Sequence, residues 1–135
     1  MLVETTPDPS FLVAEALRDV PGVKAAFVYG STARGDHGPD SDIDLLVLEG
    51  PGLESRRLLG RLAEVTLLLG RSVNTIRYSE RGLARRMGDP SHPAAAFVRG
   101  IITGPKRWVA GSPDPLLVLA TAAGVPIPEE AVSVS

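Results

Sequence analysis

Two aspartates with one residue between them are the side chains in this chain best suited to chemistry. Asp42 and Asp44 flank Ile43, where a run of apolar residues begins that continues to Leu48. Residues two apart on a β-strand point to the same face, so we expect the two carboxylates to project side by side. Like charges at the start of a buried strand repel each other unless a cation neutralises them. The pair therefore predicts a site for Mg²⁺ or Mn²⁺, since hard cations prefer oxygen ligands.

A second candidate group stands where an earlier apolar run, residues 23–29, stops at Gly30 and Ser31. Glycine lets the backbone approach a ligand closely. Serine is a good N-cap, and the free N–H groups at a helix start bind phosphate, so we expect a short helix over 31–34. A phosphate cradle beside a metal-binding pair indicates metal-assisted nucleotide chemistry. The structural alternative is a turn with a solvated aspartate pair between two strands.

The pattern G-S-x-x-x-G followed by S-D-x-D resembles the polymerase-beta-like nucleotidyltransferase superfamily. The combination is specific because both halves occur at the family's separation and strand-like runs flank them. The matching residues are Gly30, Ser31, Gly35, Ser41, Asp42 and Asp44. The resemblance implies that the two aspartates are catalytic metal ligands and that the other four residues bind the nucleotide. Arg34 follows the Gly-Ser turn and is a further candidate for phosphate contact, with a solvent-facing side chain as the alternative.

The resemblance also implies a third carboxylate, which in active members shares a metal ion and helps to activate the attacking hydroxyl. The corresponding stretch, G-R-S-V-N-T-I, carries Asn74 instead. Asparagine can offer a carbonyl oxygen to a metal, but it is neutral and a poor base. Because no Asp or Glu occurs between Glu64 and Glu80, a small shift in alignment does not supply the acid. Asn74 remains the candidate third residue of the catalytic group, and an acid from elsewhere in the chain is left open.

Two later stretches narrow the resemblance. They are V-N-T-I-R-Y-S-E, residues 73–80, and F-V-R-G-I-I-T-G-P-K-R-W-V-A-G, residues 97–111. Together they resemble a subgroup of small nucleotidyltransferase-like modules, some of which follow a winged-helix DNA-binding domain in bacterial regulators. Residues 1–22 are too few for a winged helix, so we predict no direct nucleic-acid binding. Lys106 and Arg107 are minor candidates for contact with a triphosphate.

The apolar periodicity predicts an α/β domain whose mixed four-stranded sheet has flanking helices, the nucleotidyltransferase fold. We expect strands over 23–29, 42–48, 71–78 and 106–110, and helices from 8 or 10 to 20 and over 53–69, 79–88, 93–102 and 113–123. If Gly30 and the aspartates share a site, the first two strands must be antiparallel. The third strand, parallel to the second, then brings Asn74 near the pair.

Length and composition set the outer bounds. A chain of 135 residues predicts a single domain, 1–135, with its core at about 23–111. The net charge of −2 gives no reason to expect binding to a membrane surface or to nucleic acid in general, and the lack of cysteine excludes disulfides and thiolate chemistry. No apolar run reaches about eighteen residues and no signal peptide is visible, so we expect a cytoplasmic protein without membrane contact.

These patterns predict a Mg²⁺-dependent nucleotidyltransferase. It would move a nucleoside monophosphate from a nucleoside triphosphate, with ATP the expected nucleotide, to an acceptor hydroxyl that the sequence does not identify. The alternative, motivated by Asn74, is a catalytically weak or inactive nucleotide-binding or regulatory module that acts through a partner protein. A protein acceptor or regulatory partner fits either function, and the oligomeric state is open.

Overall fold

A computed structural model describes residues 8–30, 33 and 42–127, together with the backbone of 132–134. The helices of this part of the chain are α1 (Pro9–Leu17), α2 (Ser55–Leu69), α3 (Glu80–Gly88), α4 (Ala95–Thr103) and α5 (Asp114–Ala122). The strands are β1 (Val23–Tyr29), β2 (Ile43–Glu49), β3 (Val73–Ser79), β4 (Lys106–Gly111) and β5 (Val132–Val134). None of the described helices is long and apolar enough to cross a membrane.

The strands form one mixed sheet in the order β3-β2-β1-β4-β5. Strand β1 is antiparallel to both β2 and β4, whereas β2 and β3 run parallel to each other, as do β4 and β5. The predicted α/β architecture with four main strands in a mixed sheet is confirmed. The three-residue β5 adds a fifth strand at the edge, in a tail where the sequence analysis expected none.

Local sequence signals account for the helix ends. The side chain of Asp8 accepts a hydrogen bond from the Ser10 backbone N–H at 2.9 Å and caps α1. Ser79 caps α3 in the same way by accepting from the Gly82 N–H at 3.0 Å. Helix α2 ends at Gly70, whose φ of 66° is the left-handed conformation that terminates many helices. The predicted boundaries of these helices are therefore met to within about three residues.

The sheet separates two apolar cores. On one face, α1 and α2 cover side chains from β1 and β2, and the buried residues there are Val13, Leu17, Val20, Ala26, Val28, Ile43, Leu45, Val47, Leu58, Leu62, Val65 and Val109. We call this the α1/α2 face. On the other face, α3, α4 and α5 cover Ala25, Phe27, Leu46, Leu48, Leu83, Met87, Val98, Ile101, Ile102, Trp108, Leu116, Ala120 and Val125. We call this the α4 face. Neighbouring residues of each strand alternate between them.

Candidate active site

The two aspartates lie where the sequence predicts, at the start of β2. Asp42 directly precedes the strand and is exposed, while Asp44 is its second residue and is partly buried. Because Leu46 and Leu48 belong to the α4 face, alternation along β2 places Asp44 on that same face of the sheet. The residues that follow Asp44 in the strand are buried. The two carboxylates therefore lie at the solvent-exposed end of a strand that is otherwise mostly buried.

Gly30 comes into close contact with one of these carboxylates. Its neighbour Tyr29, the last residue of β1, pairs directly with Asp44 of β2. A Cβ atom built on Gly30 would lie only 3.0 Å from Asp44 Oδ2, and Gly30 has a φ of 70°. Both the close approach and the left-handed backbone favour glycine here. The end of β1 therefore presents bare backbone to the carboxylate, as expected for a site where a ligand meets the main chain.

Asn74 completes the group from the neighbouring strand. It pairs with Asp44 in the parallel β2–β3 ladder, and its side-chain Nδ2 donates a hydrogen bond to Asp42 Oδ2 at 3.1 Å. In this arrangement the amide orients a carboxylate. A carboxylate at the same position would instead repel Asp42 unless a cation lay between them. Gly30, Asp42, Asp44 and Asn74 thus share one corner of the sheet.

The remaining predicted nucleotide-binding residues, Ser31, Arg34, Gly35 and Ser41, lie outside the described residues. The same is true of the predicted helix over 31–34, apart from Ala33, which is helical. Their roles stay predictions.

The donors present fit a magnesium ion that is shared with substrate phosphates. Asp42 and Asp44 supply carboxylate oxygens, and the amide oxygen of Asn74 is available as a neutral ligand. Within the described ranges there is no group of three His, Cys, Asp or Glu side chains able to hold a metal. A pair of carboxylates that leaves most coordination positions to water and phosphate is typical of magnesium sites in phosphoryl transfer.

A polar row crosses the sheet from this corner. Tyr29 pairs with Asp44 on one side and with Lys106 of β4 on the other. Burial and, to a smaller extent, the negative charge of Asp44 raise the pKa of the Tyr29 hydroxyl to about 12. Tyr29 is therefore a neutral hydrogen-bonding group at any ordinary pH. The row Asn74–Asp44–Tyr29–Lys106 caps the apolar α4 face at its edge.

The minor candidates for triphosphate contact, Lys106 and Arg107, both bind groups of the protein itself. Lys106 is only 2% exposed, and its Nζ donates to the carbonyl oxygens of Ile102 and Gly104. Arg107 lies on the opposite side of β4 and binds Asp8 Oδ2 at 3.1 Å. The packing of α4 on the sheet buries Lys106, and the capping residue of α1 binds Arg107.

A cleft of about 390 Å³ opens beside this corner, between the end of β1 and helix α4. Tyr29 and Gly30 form one wall. The other wall consists of α4 and the turn after it: Ala96, Phe97, Gly100, Ile101, Gly104 and Pro105. Gly30, whose added Cβ would lie 3.0 Å from Asp44 Oδ2, links the cleft to the carboxylate corner. The sequence contained a signal for it, since Ala96, Gly100 and Gly104 are small residues spaced four apart along α4 and its end.

Comparison with known proteins agrees with this geometry. A sequence model described as the nucleotidyltransferase domain matches residues 12–102, more than half of the chain. This chain belongs to the nucleotidyltransferase domain family. The match includes both halves of the front motif and Asn74. No curated protein matches the chain by sequence.

Solved structures confirm the nucleotidyltransferase fold. The chain resembles a toxin–antitoxin structure with AMP-PNP at 17% identity and a TM-score of 0.57, covering 84% of this chain and 82% of that one. It resembles a MntA–HpeT toxin–antitoxin structure, in which two aspartates are replaced by glutamate, at 15% identity and a TM-score of 0.57, with the same shares covered. A tri-AMPylated HEPN toxin of Shewanella oneidensis in complex with MNT antitoxin gives 15% identity, a TM-score of 0.52, and coverage of 85% and 80%. At these identities the likeness establishes the fold of this nucleotidyltransferase domain.

Proposed function

We propose that this nucleotidyltransferase-family protein transfers a nucleoside monophosphate from a nucleoside triphosphate to an acceptor hydroxyl, with ATP as the nucleotide. The observation that carries the proposal is the contact between Gly30 and Asp44. It sets a bare backbone turn beside a carboxylate pair, with 3.0 Å between a would-be Cβ and Asp44 Oδ2. A triphosphate needs both features, because its charge must be neutralised while its oxygens are held by N–H donors.

Each residue of the corner has a distinct task in this proposal. Asp42 and Asp44 would hold Mg²⁺, which supplies charge neutralisation of the phosphates and lowers the pKa of a coordinated hydroxyl. Asn74 holds Asp42 in place through its 3.1 Å hydrogen bond. The acceptor oxygen forms a bond to the α-phosphorus and releases its proton to water. The bond from the α-phosphorus to the oxygen that bridges it to the β-phosphorus breaks, and pyrophosphate leaves with that electron pair.

A protein is our proposed acceptor. The structures that the chain resembles include a toxin–antitoxin pair with AMP-PNP and an AMPylated toxin bound to its antitoxin. In a further one, the replaced aspartates are two residues apart, the spacing of Asp42 and Asp44. These likenesses support a protein partner and a nucleotide ligand for this chain, and AMPylation of a hydroxyl on that partner is the reaction we propose.

The alternative is a nucleotide-binding module that regulates a partner with weak or no catalysis. One observation favours it: the third position of the catalytic group holds an amide that donates to Asp42 instead of a carboxylate. Such a site binds metal and nucleotide with two charges but lacks the acid that would help to activate the acceptor. Both proposed functions require the protein to bind a nucleotide, but only the first requires it to transfer a nucleoside monophosphate.

Transfer can be measured by incubating the protein with ATP labelled at the α-phosphate, Mg²⁺ and candidate partner proteins. We expect label on the partner with the wild-type protein and none with Asp42→Asn. Asp19→Asn is the matched control, because Asp19 is a surface carboxylate bound to Arg61, away from the site. Transfer that persists in Asp42→Asn would refute the proposed catalytic site.

Binding is measured separately by titration calorimetry with Mg·ATP. Binding without any transfer would support the regulatory alternative. An absence of both would refute the two nucleotide-based functions together.

A further inference from the structure

Lys106 is a buried cation that the proposed chemistry leaves without a task. Its side chain is 2% exposed. The ammonium group donates to Ile102 O and, at 2.9 Å, to Gly104 O, and it lies 5.6 Å from the centroid of the Phe27 ring. The ammonium group thus interacts with two neutral carbonyl oxygens and, through a cation–π contact, with an aromatic ring.

Burying the ammonium group of Lys106 costs free energy, so its position needs a physical explanation. Burial lowers the pKa of Lys106 to about 8, which shows that the site disfavours the charge. The carbonyls at the end of a helix can be satisfied at less expense by water or by a backbone turn. Here an ammonium reaches back from β4 to the last turn of α4, which ties the helix end to the sheet at one point.

The tied segment is the wall of the cleft. Gly104 accepts from Lys106 and lines the cleft together with Pro105, its neighbour in the turn between α4 and β4. The opposite wall is Tyr29, the direct cross-strand partner of Lys106. The same residue therefore pairs with one wall through its backbone and holds the other through its ammonium group.

The separation of the walls matters because the cleft lies beside the carboxylate corner, with Gly30 common to both. Gly30, the last residue of the β1 wall, contacts Asp44. On the α4 wall, a Cβ at Gly100 would have no atom within 4 Å, so open space faces the cleft there. A shift of the α4–β4 turn would change the width of the cleft without moving any residue of the carboxylate corner.

We propose that Lys106 is a positioning residue that fixes the α4–β4 turn as one wall of the nucleotide site. The inference rests on the proposed nucleotide binding at the carboxylate corner. Lys106 touches no phosphate in this arrangement; it acts through Ile102 and Gly104. Removing the ammonium loosens the wall, and the bound nucleotide loses its fixed position.

The first measurement needs no ligand. Amide hydrogen exchange is compared by mass spectrometry for wild type, Lys106→Met and the control Lys24→Met, which removes the other lysine, a half-exposed partner of Glu80. We expect exchange at least tenfold faster over residues 99–105 in Lys106→Met, with little change over 23–29 and 43–49. The control should exchange at the wild-type rate over 99–105. Unchanged exchange there in Lys106→Met would overturn the proposal.

The second measurement is the affinity for Mg·AMP-PNP by titration calorimetry. We expect Lys106→Met to bind at least tenfold more weakly and Lys24→Met to bind like the wild type. A looser wall with unchanged affinity would show that the turn is structural only, and the proposal would fall. If the wild-type protein does not bind at all, the proposed function fails and takes this inference with it, whereas binding of equal strength by wild type and Lys106→Met overturns this inference alone.

A chemical rescue separates the charge from the packing. Since the chain contains no cysteine, Lys106→Cys provides a unique thiol that can be alkylated in denaturant before refolding. An aminoethyl group rebuilds a lysine-like ammonium, and a propyl group of the same length does not. We expect the aminoethylated protein to regain slow exchange and affinity and the propylated protein to lack both; equal behaviour overturns the proposal.

If neither neutral form folds, Gly100→Leu tests the wall directly. It fills the open space of the cleft and leaves Lys106 in place. We expect at least tenfold weaker binding of Mg·AMP-PNP, and an unchanged affinity would overturn the role of the wall.

Discussion

Neighbouring residues at the start of β2 show how the two faces of the sheet differ: one face is apolar there and the other is polar. Leu45 points to the α1/α2 face, is fully buried and belongs to the apolar core there. Asp44, one residue earlier, points to the α4 face at the edge where the cleft opens. The α1/α2 face of β2 is apolar from Ile43 to Val47, next to the carboxylates, whereas the α4 face gives way to the polar row at that end.

Along β2, the residues on one face stabilise the fold, and the residues on the other face form the candidate site. Apolar burial on the α1/α2 face holds β1 and β2 in register, and that register brings Tyr29 and Gly30 to the carboxylates. In the polar row, Asn74 is exposed and Asp44 is only partly buried, so these two side chains contribute little apolar burial. Substitutions on the two faces should therefore have different consequences, and five experiments test whether they do.

The largest expected effect is the loss of transfer in Asp44→Asn. The amide keeps the shape of the side chain but removes one of two charges for the metal, so we expect at least a 10³-fold lower rate, equivalent to about 4 kcal/mol of transition-state stabilisation. The free energy of unfolding should change by less than about 0.5 kcal/mol. Labelled-ATP transfer and urea denaturation measure the two quantities; a large loss of stability would contradict the separation.

Leu45→Ala should show the reverse pattern. Removing a fully buried side chain from the α1/α2 face leaves a cavity, and we expect the free energy of unfolding to fall by about 3 kcal/mol. The folded fraction should retain its affinity for Mg·ATP. Leu59→Ala on α2, whose side chain is 53% exposed, is the matched control and should cost less than about 0.5 kcal/mol.

The next effect is a dependence of stability on pH that stems from Lys106. Its pKa is lowered from 10.5 to about 8 in the folded protein, so between these values the unfolded chain binds more protons than the folded one. The cost of burying the charge is thus fully present below pH 8 and is relieved as the pH rises to 10.5. Relative to Lys106→Met, the wild type should gain up to roughly 3 kcal/mol over this window.

Urea denaturation at several pH values measures this difference. A difference between the two proteins that does not vary from pH 7.5 to 10 would contradict the assignment. Above pH 10 Tyr29 acts in the opposite direction, because its raised pKa makes the folded protein the better proton binder.

Asn74→Asp sharpens the comparison within the polar row. The new carboxylate replaces the amide that lies 3.1 Å from Asp42 Oδ2, so without metal we expect a loss of about 1 kcal/mol of stability, or about 4 °C in melting temperature. Millimolar Mg²⁺ or Mn²⁺ should restore it. Asn74→Ala, which removes the hydrogen bond without adding charge, should respond to metal like the wild type; an equal response of all three would contradict the geometry.

The smallest effect concerns the cap of α1 on the α1/α2 face. Asp8→Ala removes the acceptor for the Ser10 N–H and should cost about 1 kcal/mol. Asp8→Asn keeps a capping oxygen while it loses the charge that pairs with Arg107, so it should cost less. Thermal melts separate the two, and an equal loss would assign the effect to the ion pair.

Several features of the fold and of the candidate site could be predicted from the sequence. Strand β1 was predictable because a mostly apolar run and a Gly-Ser stop are local signals, and its antiparallel pairing with β2 followed from placing Gly30 and the aspartates in one site. The aspartate pair was predictable from period-two spacing alone. The approach of Asn74 to Asp42 followed once β3 was placed parallel to β2.

What sequence reasoning missed depends on distant parts of the chain. From the sequence, Lys106 was a minor candidate for triphosphate contact, and only the packing of α4 against Phe27 and Trp108 buries it. The donation from Asn74 to Asp42 is a side-chain orientation, which residue spacing does not encode. Strand β5 pairs three residues of a Pro-broken tail with β4, and so short a strand has no periodic signal.

The crowding at Gly30 has a genetic consequence. Every glycine codon is one base change away from an alanine codon, and the added methyl group would meet Asp44 Oδ2 at 3.0 Å on a backbone strained for any L-residue. A single point mutation can thus disable the carboxylate corner while every charged residue and the whole apolar interior stay intact. Descendants of this protein can therefore lose the geometry of this corner in one step and still keep the fold.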